Sequence, residues 1–211
     1  MPEQTNNFPQ TQKISVDESI RRERGSPITT RDWEGYPSTF GVSRKPETFW
    51  EGKTLLDVGS GDKWHDPEDT FPGATVYALD PEFGKLGRIK FNTAHVCTPG
   101  VVQHMPFPDS MFDFVFSSHA VPQHIYPVDM REAILEMTRV LKPTGEIRLA
   151  PCVPREMLRF SRSLKDAGYS LFYNPDGIER TITVVALQTP LQTDAPKKTA
   201  HERLVELLVE E

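Results

Sequence analysis

Apolar residues in the stretch DMREAILEMTRVL recur at Met130, Ala133, Ile134, Met137, Val140 and Leu141, spacings of three and four that line one face of an α-helix. The run Lys142-Pro143-Thr144-Gly145 stops that helix, and Glu146 to Ala150 reads as a strand. Upstream, three short apolar runs predict strands: Lys53 to Val58, Thr75 to Leu79 followed by Asp80, and FDFVFS from Phe112 to Ser117. Downstream, a helix over about Arg155 to Ala167 ends at Gly168. SLFYN and RTITVVAL, joined by Pro175-Asp176-Gly177, then have hairpin character. Strands separated by helices imply a mainly parallel sheet with right-handed crossovers, and the closing hairpin adds an antiparallel strand. The segments Asp62 to Pro72 and Phe83 to Pro99 are short or interrupted by Pro and Gly, which predicts reduced helices on one side of the sheet.

The ends read differently. Residues 1–30 mix Gln, Asn, Glu, Arg and Pro with few large apolar groups, the composition of a mobile arm. Aromatics return from Asp32 to Trp50, predicting short helices or an irregular, lid-like segment over the core or a pocket. Residues 31–189 form the expected domain, and 190–211 a linker followed by an amphipathic helix with Leu204, Leu207 and Leu208 on one face. That helix either docks on its own domain or makes a homodimer contact.

At 211 residues one α/β core is the expectation. A net charge of −6 argues against nucleic acid or an acidic membrane surface as the main partner. Cys97 and Cys152 are far apart and in no CxxC arrangement, which points away from a disulfide framework or cysteine zinc site. No pair among His65, Asp66, His95, Cys97 and His104 has clear ligand spacing, so no metal is expected. Without a signal-like start or an apolar run of spanning length, the expected location is cytoplasmic.

The chemistry concentrates around LLDVGSGDKW. Gly59 and Gly61 follow a strand and allow a ligand to lie against the main chain, while Asp57 can accept hydrogen bonds there. Asp80 ends the next strand, about 20 residues on, the spacing of a glycine loop and its ribose-binding acid in βαβ nucleotide sites. His119 and His124, in SSHAVPQH after the strand FDFVFS, are candidates to take a proton near neutral pH.

With these residues in place, the chain from about Lys53 to Pro151 resembles the class I S-adenosylmethionine-dependent methyltransferases, in the broad group with an LPF-x-D-x-x-F-D pattern. LLDVGSG is similar to the family's first motif, VYALDPE to its second, HMPFPDSMFDFVFSSH to its third and fourth strand region, and RVLKPTGEIRLAP to the motif near its fifth strand. The resemblance implies a Rossmann-like three-layer sandwich, with a mostly parallel seven-stranded sheet and an antiparallel closing hairpin. It implies S-adenosyl-L-methionine as cofactor and methyl transfer to a small-molecule acceptor. By the same resemblance Asp57, Gly59 and Gly61 line the methionine part, Asp80 holds the ribose, and Pro81 or Glu82 lies against the adenine. Val102 and Gln103, just before Met105-Pro106-Phe107, meet the adenine edge, and Ser117 and Ser118 face the sulfonium. Two positions depart from the pattern. Lys63 stands where relatives carry a third small residue, so either the following helix begins differently or Lys63 reaches toward the cofactor's carboxylate; Val101 stands where many carry an acid, which leaves the adenine amine to Gln103 in a shifted loop or to backbone groups. The rival readings are an NAD-dependent oxidoreductase, against which the third glycine of GxGxxG is missing, and a non-catalytic S-adenosylmethionine-binding partner subunit.

Overall fold

In the computed structural model of the chain, residues 33–40, 42, 45–85, 89, 92–121, 127–150, 154–174, 181–186 and 198–209 are described. Seven strands form one sheet: β1 (Thr54–Val58), β2 (Thr75–Asp80), β3 (Val96–Pro99), β4 (Phe112–Ser118), β5 (Leu141–Ala150), β6 (Tyr169–Asn174) and β7 (Thr181–Ala186), in the order β3-β2-β1-β4-β5-β7-β6. The first five strands run parallel, and β7 pairs antiparallel with both β5 and β6. The order turns back between β1 and β4, so the switch point where ligands bind lies beyond the carboxyl ends of β1, β2 and β4.

The two faces of the sheet are covered by different means. On one face lie α2 (Pro127–Val140), α3 (Pro154–Ala167) and α4 (Ala200–Val209). The periodic residues Met130, Ala133, Ile134, Met137 and Val140 are all buried there with Leu56, Val58 and Val115. α4 carries a capping box, in which Glu202 N–H donates to Thr199 Oγ1 and Thr199 N–H to Glu202 Oε2. Its Leu204 and Leu208 are buried in the same cluster, and Arg203 Nε–H caps the end of α3 by donating to the Ala167 carbonyl at 2.9 Å. The amphipathic tail is therefore docked on its own domain.

The other face has an aromatic wall. Between β1 and β2 there is only a 3-10 turn, Pro67–Asp69, and no helix occurs among the described residues between β2 and β3. The expected thinning of the crossovers is observed. A 3-10 turn (Trp33–Gly35), the short helix α1 (Tyr36–Thr39) and a second 3-10 turn (Glu47–Phe49) cover the space. Trp33, Tyr36, Phe40 and Trp50 pack with Phe71, Phe114 and Phe116. Representative centroid distances are 4.9 Å for Phe40–Phe116, 4.9 Å for Trp50–Phe71 and 5.3 Å for Trp50–Phe114. The segment read as lid-like is thus a wall of the core, with Trp33 fully buried.

Two element boundaries differ from the sequence expectation. β5 begins at Leu141, directly after α2, because Lys142-Pro143-Thr144-Gly145 forms a bulge rather than a separate turn: Phe112 pairs with Leu141, and Phe114 already with Glu146. Gly145 is required by close approach, since a Cβ there would lie 2.9 Å from the Asp113 carbonyl and 2.7 Å from Leu141 Cδ1. Beside the bulge, Phe112 joins the helical-face cluster while Phe114 joins the aromatic wall. The third strand is Val96–Pro99, ahead of the HMPFP segment in which it was expected. Four half-buried to exposed residues at a sheet edge give it little apolar signal. The arm 1–30, the linker 190–197, the turn Pro175-Asp176-Gly177 and His124 lie outside the described residues.

Candidate functional site

β1 and β2 deliver the site's two acids. Asp57 pairs with Ala78 across the strands, so Asp80 lies two residues further along the neighbouring strand. After Val58 the chain bends over the end of β2, with the Gly59 and Ser60 amides donating to the Leu79 carbonyl at 2.8 and 3.3 Å. Gly59 has φ +70°, and a Cβ on it would fall 2.1 Å from Ala120 Cβ, so the loop after β4 can seat on it only in the absence of a side chain. Gly61 N–H then donates to Asp80 Oδ2 at 3.1 Å, and Glu82 N–H to Asp80 Oδ1 at 2.9 Å. The spacing between glycine loop and acid is thus closed by a direct bond. Burial holds the Asp80 carboxyl above the usual carboxylate range, opposed by the Glu82 and Gly61 amides and reinforced by the charges of Asp57 and Glu82.

A carboxylate offers about four acceptor positions, of which these two amides take two. Asp80 therefore keeps capacity for a pair of ligand hydroxyls at the tip of β2. This is the donor-acceptor chemistry a ribose requires, so the residues present fit an adenosyl group.

No helix follows the glycine loop; residues 60–64 run without regular structure. Lys63 is turned inward and is 2% exposed. Its ammonium donates to the Ser60 carbonyl, stands 3.5 Å from Asp57 Oδ2, and faces the Trp33 and Tyr36 rings at 5.2 and 5.4 Å. Tyr36 O–H donates to Asp57 Oδ1 at 2.7 Å, while Asp57 Oδ2 is buried and accepts no hydrogen bond. Trp33 Nε1–H is tied to Thr93 Oγ1 at 3.0 Å. The aromatic wall therefore reaches the methionine end of the expected site.

The remaining expected residues are placed as follows. Pro81 is exposed next to Asp80. Val102 points into the hydrophobic core, so only its backbone is left to meet an adenine, whereas Gln103 is half-buried and Val101 exposed. Ser117 departs from its expected role, because its fully buried hydroxyl donates to the Val58 carbonyl and accepts from Val121 N–H, both at 3.0 Å. It fastens the end of β4 to β1. His119 adopts a left-handed φ of 63° with its amide on the Ala150 carbonyl and its Nδ1 3.2 Å from Ser118 Oγ.

Three residues with contacts in the site, Asn92, Glu136 and Arg139, were not foreseen from sequence. Asn92 Nδ2 donates to Ser60 Oγ at 2.9 Å and to the Gly61 carbonyl at 2.7 Å, clamping the glycine loop from the segment after β2. Arg139 on α2 holds the Met105 and Phe107 carbonyls at 3.1 and 2.8 Å, and Glu136 accepts from Met105 N–H at 2.8 Å. Together these two pin the loop that carries Val102 and Gln103. Only the i, i+3 spacing of Glu136 and Arg139 on a helix hinted at their pairing.

Burial pushes the Cys97 thiol up to about 11, which keeps it protonated and unreactive at neutral pH. Among the described residues no group of three or more His, Cys, Asp or Glu is arranged to hold a metal ion, and no helix is long and apolar enough to cross a membrane.

Comparison with known proteins identifies this arrangement. Residues 56–149 match the family model described as a methyltransferase domain. The chain is 32% identical over 98 residues to a malonyl-[acyl-carrier protein] O-methyltransferase of Erwinia billingiae, covering 46% of this chain and 38% of that protein. It is 29% identical over 152 residues to the protein of the same name from Dechloromonas aromatica, covering 70% and 56%. The chain thus spans between about a third and a little over half of the curated relatives it matches. In fold it is similar to a TehB-like SAM-dependent methyltransferase from Corynebacterium glutamicum, with TM-score 0.53 and 16% identity over 81% of this chain and 94% of that one. The antiparallel β7 between β5 and β6 also departs from the 3-2-1-4-5-6 order of dinucleotide-binding dehydrogenases. In its sheet order and its acid-ended second strand the chain has the fold of the S-adenosylmethionine-dependent methyltransferases it resembles, and its central segment, residues 56–149, matches their methyltransferase domain.

Proposed function

We propose that the protein binds S-adenosylmethionine at the carboxyl ends of β1 and β2 and transfers its methyl group to a small-molecule acceptor. One observation carries the reading: Asp80 ends β2 with its carboxylate docked on the Gly61 amide of the glycine loop, leaving acceptor positions for two ribose hydroxyls. The cofactor supplies a methyl already activated on a sulfonium, so the protein's task is chiefly to hold donor and acceptor in line. Asp80 orients the nucleoside, and Asn92 keeps the glycine loop against it. Residues before Met105, in the loop that Glu136 and Arg139 hold at Met105, would meet the adenine edge in this reading.

His119, which follows β4, is the candidate to accept the proton of a hydroxyl or nitrogen acceptor. His124, five residues further along the sequence, is a second candidate. The curated relatives are named for methylation on malonyl-[acyl-carrier protein], which puts carboxylate acceptors into the panel to be assayed alongside hydroxyl, amine and thiol compounds.

Calorimetry with S-adenosylhomocysteine tests the reading directly. Wild type binds, and Asp80→Ala loses at least about tenfold in affinity, the value of one hydrogen bond to a charged group. Equal binding by the variant would remove Asp80 from the site. Binding of NAD in place of any S-adenosyl ligand would overturn the proposal as a whole.

A further inference from the structure

Lys63 carries an inference that goes further and rests on the S-adenosyl reading just given. Asp57 and Asp80 lie about 8 Å apart, from a strand spacing of about 4.8 Å and two residues at about 3.3 Å each. A ribose on Asp80 therefore brings the amino-acid chain attached to it across the end of β1 to Asp57. The buried acceptors there, Asp57 Oδ2 and the Ser60 carbonyl, are of the kind a primary ammonium seeks, and the chain already supplies one. The Lys63 ammonium bonds the Ser60 carbonyl and sits 3.5 Å from Asp57 Oδ2, close enough to balance its charge. It is 2% exposed and enclosed by two aromatic faces, which favour a cation. A ligand ammonium entering this space would meet a like charge and an acid whose charge is already balanced.

We propose that the Lys63 ammonium stands in for the α-ammonium of the ligand, so that this protein binds S-adenosyl compounds through the rest of the molecule and gains nothing from their amino group. Lys63 is then a specificity residue rather than a reader of the ligand's carboxylate. Charge balance makes the consequence of removing it specific. Without Lys63, Asp57 is a buried, uncompensated carboxylate, and the ligand's own ammonium becomes its natural partner.

The test compares two probes by calorimetry, S-adenosylhomocysteine and its desamino analogue, which keeps the carboxylate and lacks only the amino group. Wild type is expected to bind the two within about threefold of each other. Lys63→Met is expected to prefer the amino form by about tenfold or more, the value of a charged hydrogen bond. Asp57→Asn combined with Lys63→Met removes both charges and should bring the ratio back toward one. A tenfold preference for the amino form in wild type overturns the proposal, as does a Lys63→Met protein that binds the two probes alike. Should Lys63→Met fail to fold around the unpaired acid, the wild-type ratio and the charge-free double variant decide between them. Failure of both probes to bind any of the proteins is a different result, which removes the S-adenosyl reading itself.

Discussion

Gly59→Ala is the substitution whose cost can be built most fully from the geometry. Gly59 sits at φ +70°, where a side chain costs about 1–2 kcal/mol. The added Cβ would also fall 2.1 Å from Ala120 Cβ, against an ordinary carbon contact of about 3.5–4.0 Å. Ala120 cannot withdraw freely. It follows His119, itself at φ 63° with its amide on the Ala150 carbonyl at 2.6 Å, so the strand end would have to shift as a unit. Overpacking of this kind costs about 1–3 kcal/mol, for a sum of about 2–5 kcal/mol. At about 2–4 °C per kcal/mol for a chain of this size, the thermal midpoint should fall by roughly 5–20 °C. Thermal unfolding followed by circular dichroism measures the shift, urea unfolding gives the free-energy cost, and Ala120→Gly separates the two parts. Gly59→Ala in the Ala120→Gly background should retain only the left-handed cost of about 1–2 kcal/mol, because the colliding methyl is gone. A Gly59→Ala protein within about 0.5 kcal/mol of wild type, or a double variant no better than the single, would refute the reasoning.

Tyr36→Phe keeps the ring in the aromatic wall and removes only the donor to Asp57 Oδ1 at 2.7 Å. The urea midpoint should drop by the equivalent of about 1–3 kcal/mol at unchanged slope. Asp113 should govern part of the acid sensitivity: burial alone would raise its carboxyl, but the Lys142 bond and the Thr54 amide and hydroxyl bonds together hold it below its ordinary 3.8. A depressed acid contributes stability above that ordinary value and loses it as pH falls toward the lower folded one. Asp113→Asn should therefore flatten the stability profile below about pH 4 and cost less than about 1 kcal/mol at neutral pH, since Lys142 is a third exposed. Leu204→Ala, at a fully buried position of α4, should cost about 2–4 kcal/mol in thermal unfolding while leaving S-adenosylhomocysteine affinity unchanged, because α4 packs on α2 and α3 away from the glycine loop.

Local pattern was enough wherever one periodicity decided the outcome. The 3.6-residue repeat located α2 and its buried residues, and the pattern of the second strand put Asp80 at its tip, although the bond from Gly61 N–H to that acid was not foreseen. The pattern misled where tertiary contact outranks a local signal. Pro143 and Gly145 punctuate like a turn, yet β5 absorbs them as a bulge against β4. Ser117 looked like a residue facing the ligand because it ends β4, but a hydroxyl with no access to solvent satisfies itself on Val58 and Val121. Lys63 was expected to extend toward a ligand. Its inward turn depends on an acid six residues before it and on two rings about thirty residues before it, and no window of sequence displays that combination. Asn92 was silent for the same reason, since its partners Ser60 and Gly61 come together with it only in the fold.

The aromatic wall sets where the protein can be cut. The family match begins at residue 56, but Phe71, Phe114 and Phe116 within the matched span are covered by Trp33, Tyr36, Phe40 and Trp50 from before it. A fragment trimmed to the matched span would turn that face of the sheet into a naked aromatic surface, prone to self-association. It would also lose Tyr36 from Asp57. The smallest piece of this chain worth expressing therefore starts upstream of Trp33, and random variation in residues 33–50 will register first as poor yield and only afterwards as altered ligand choice.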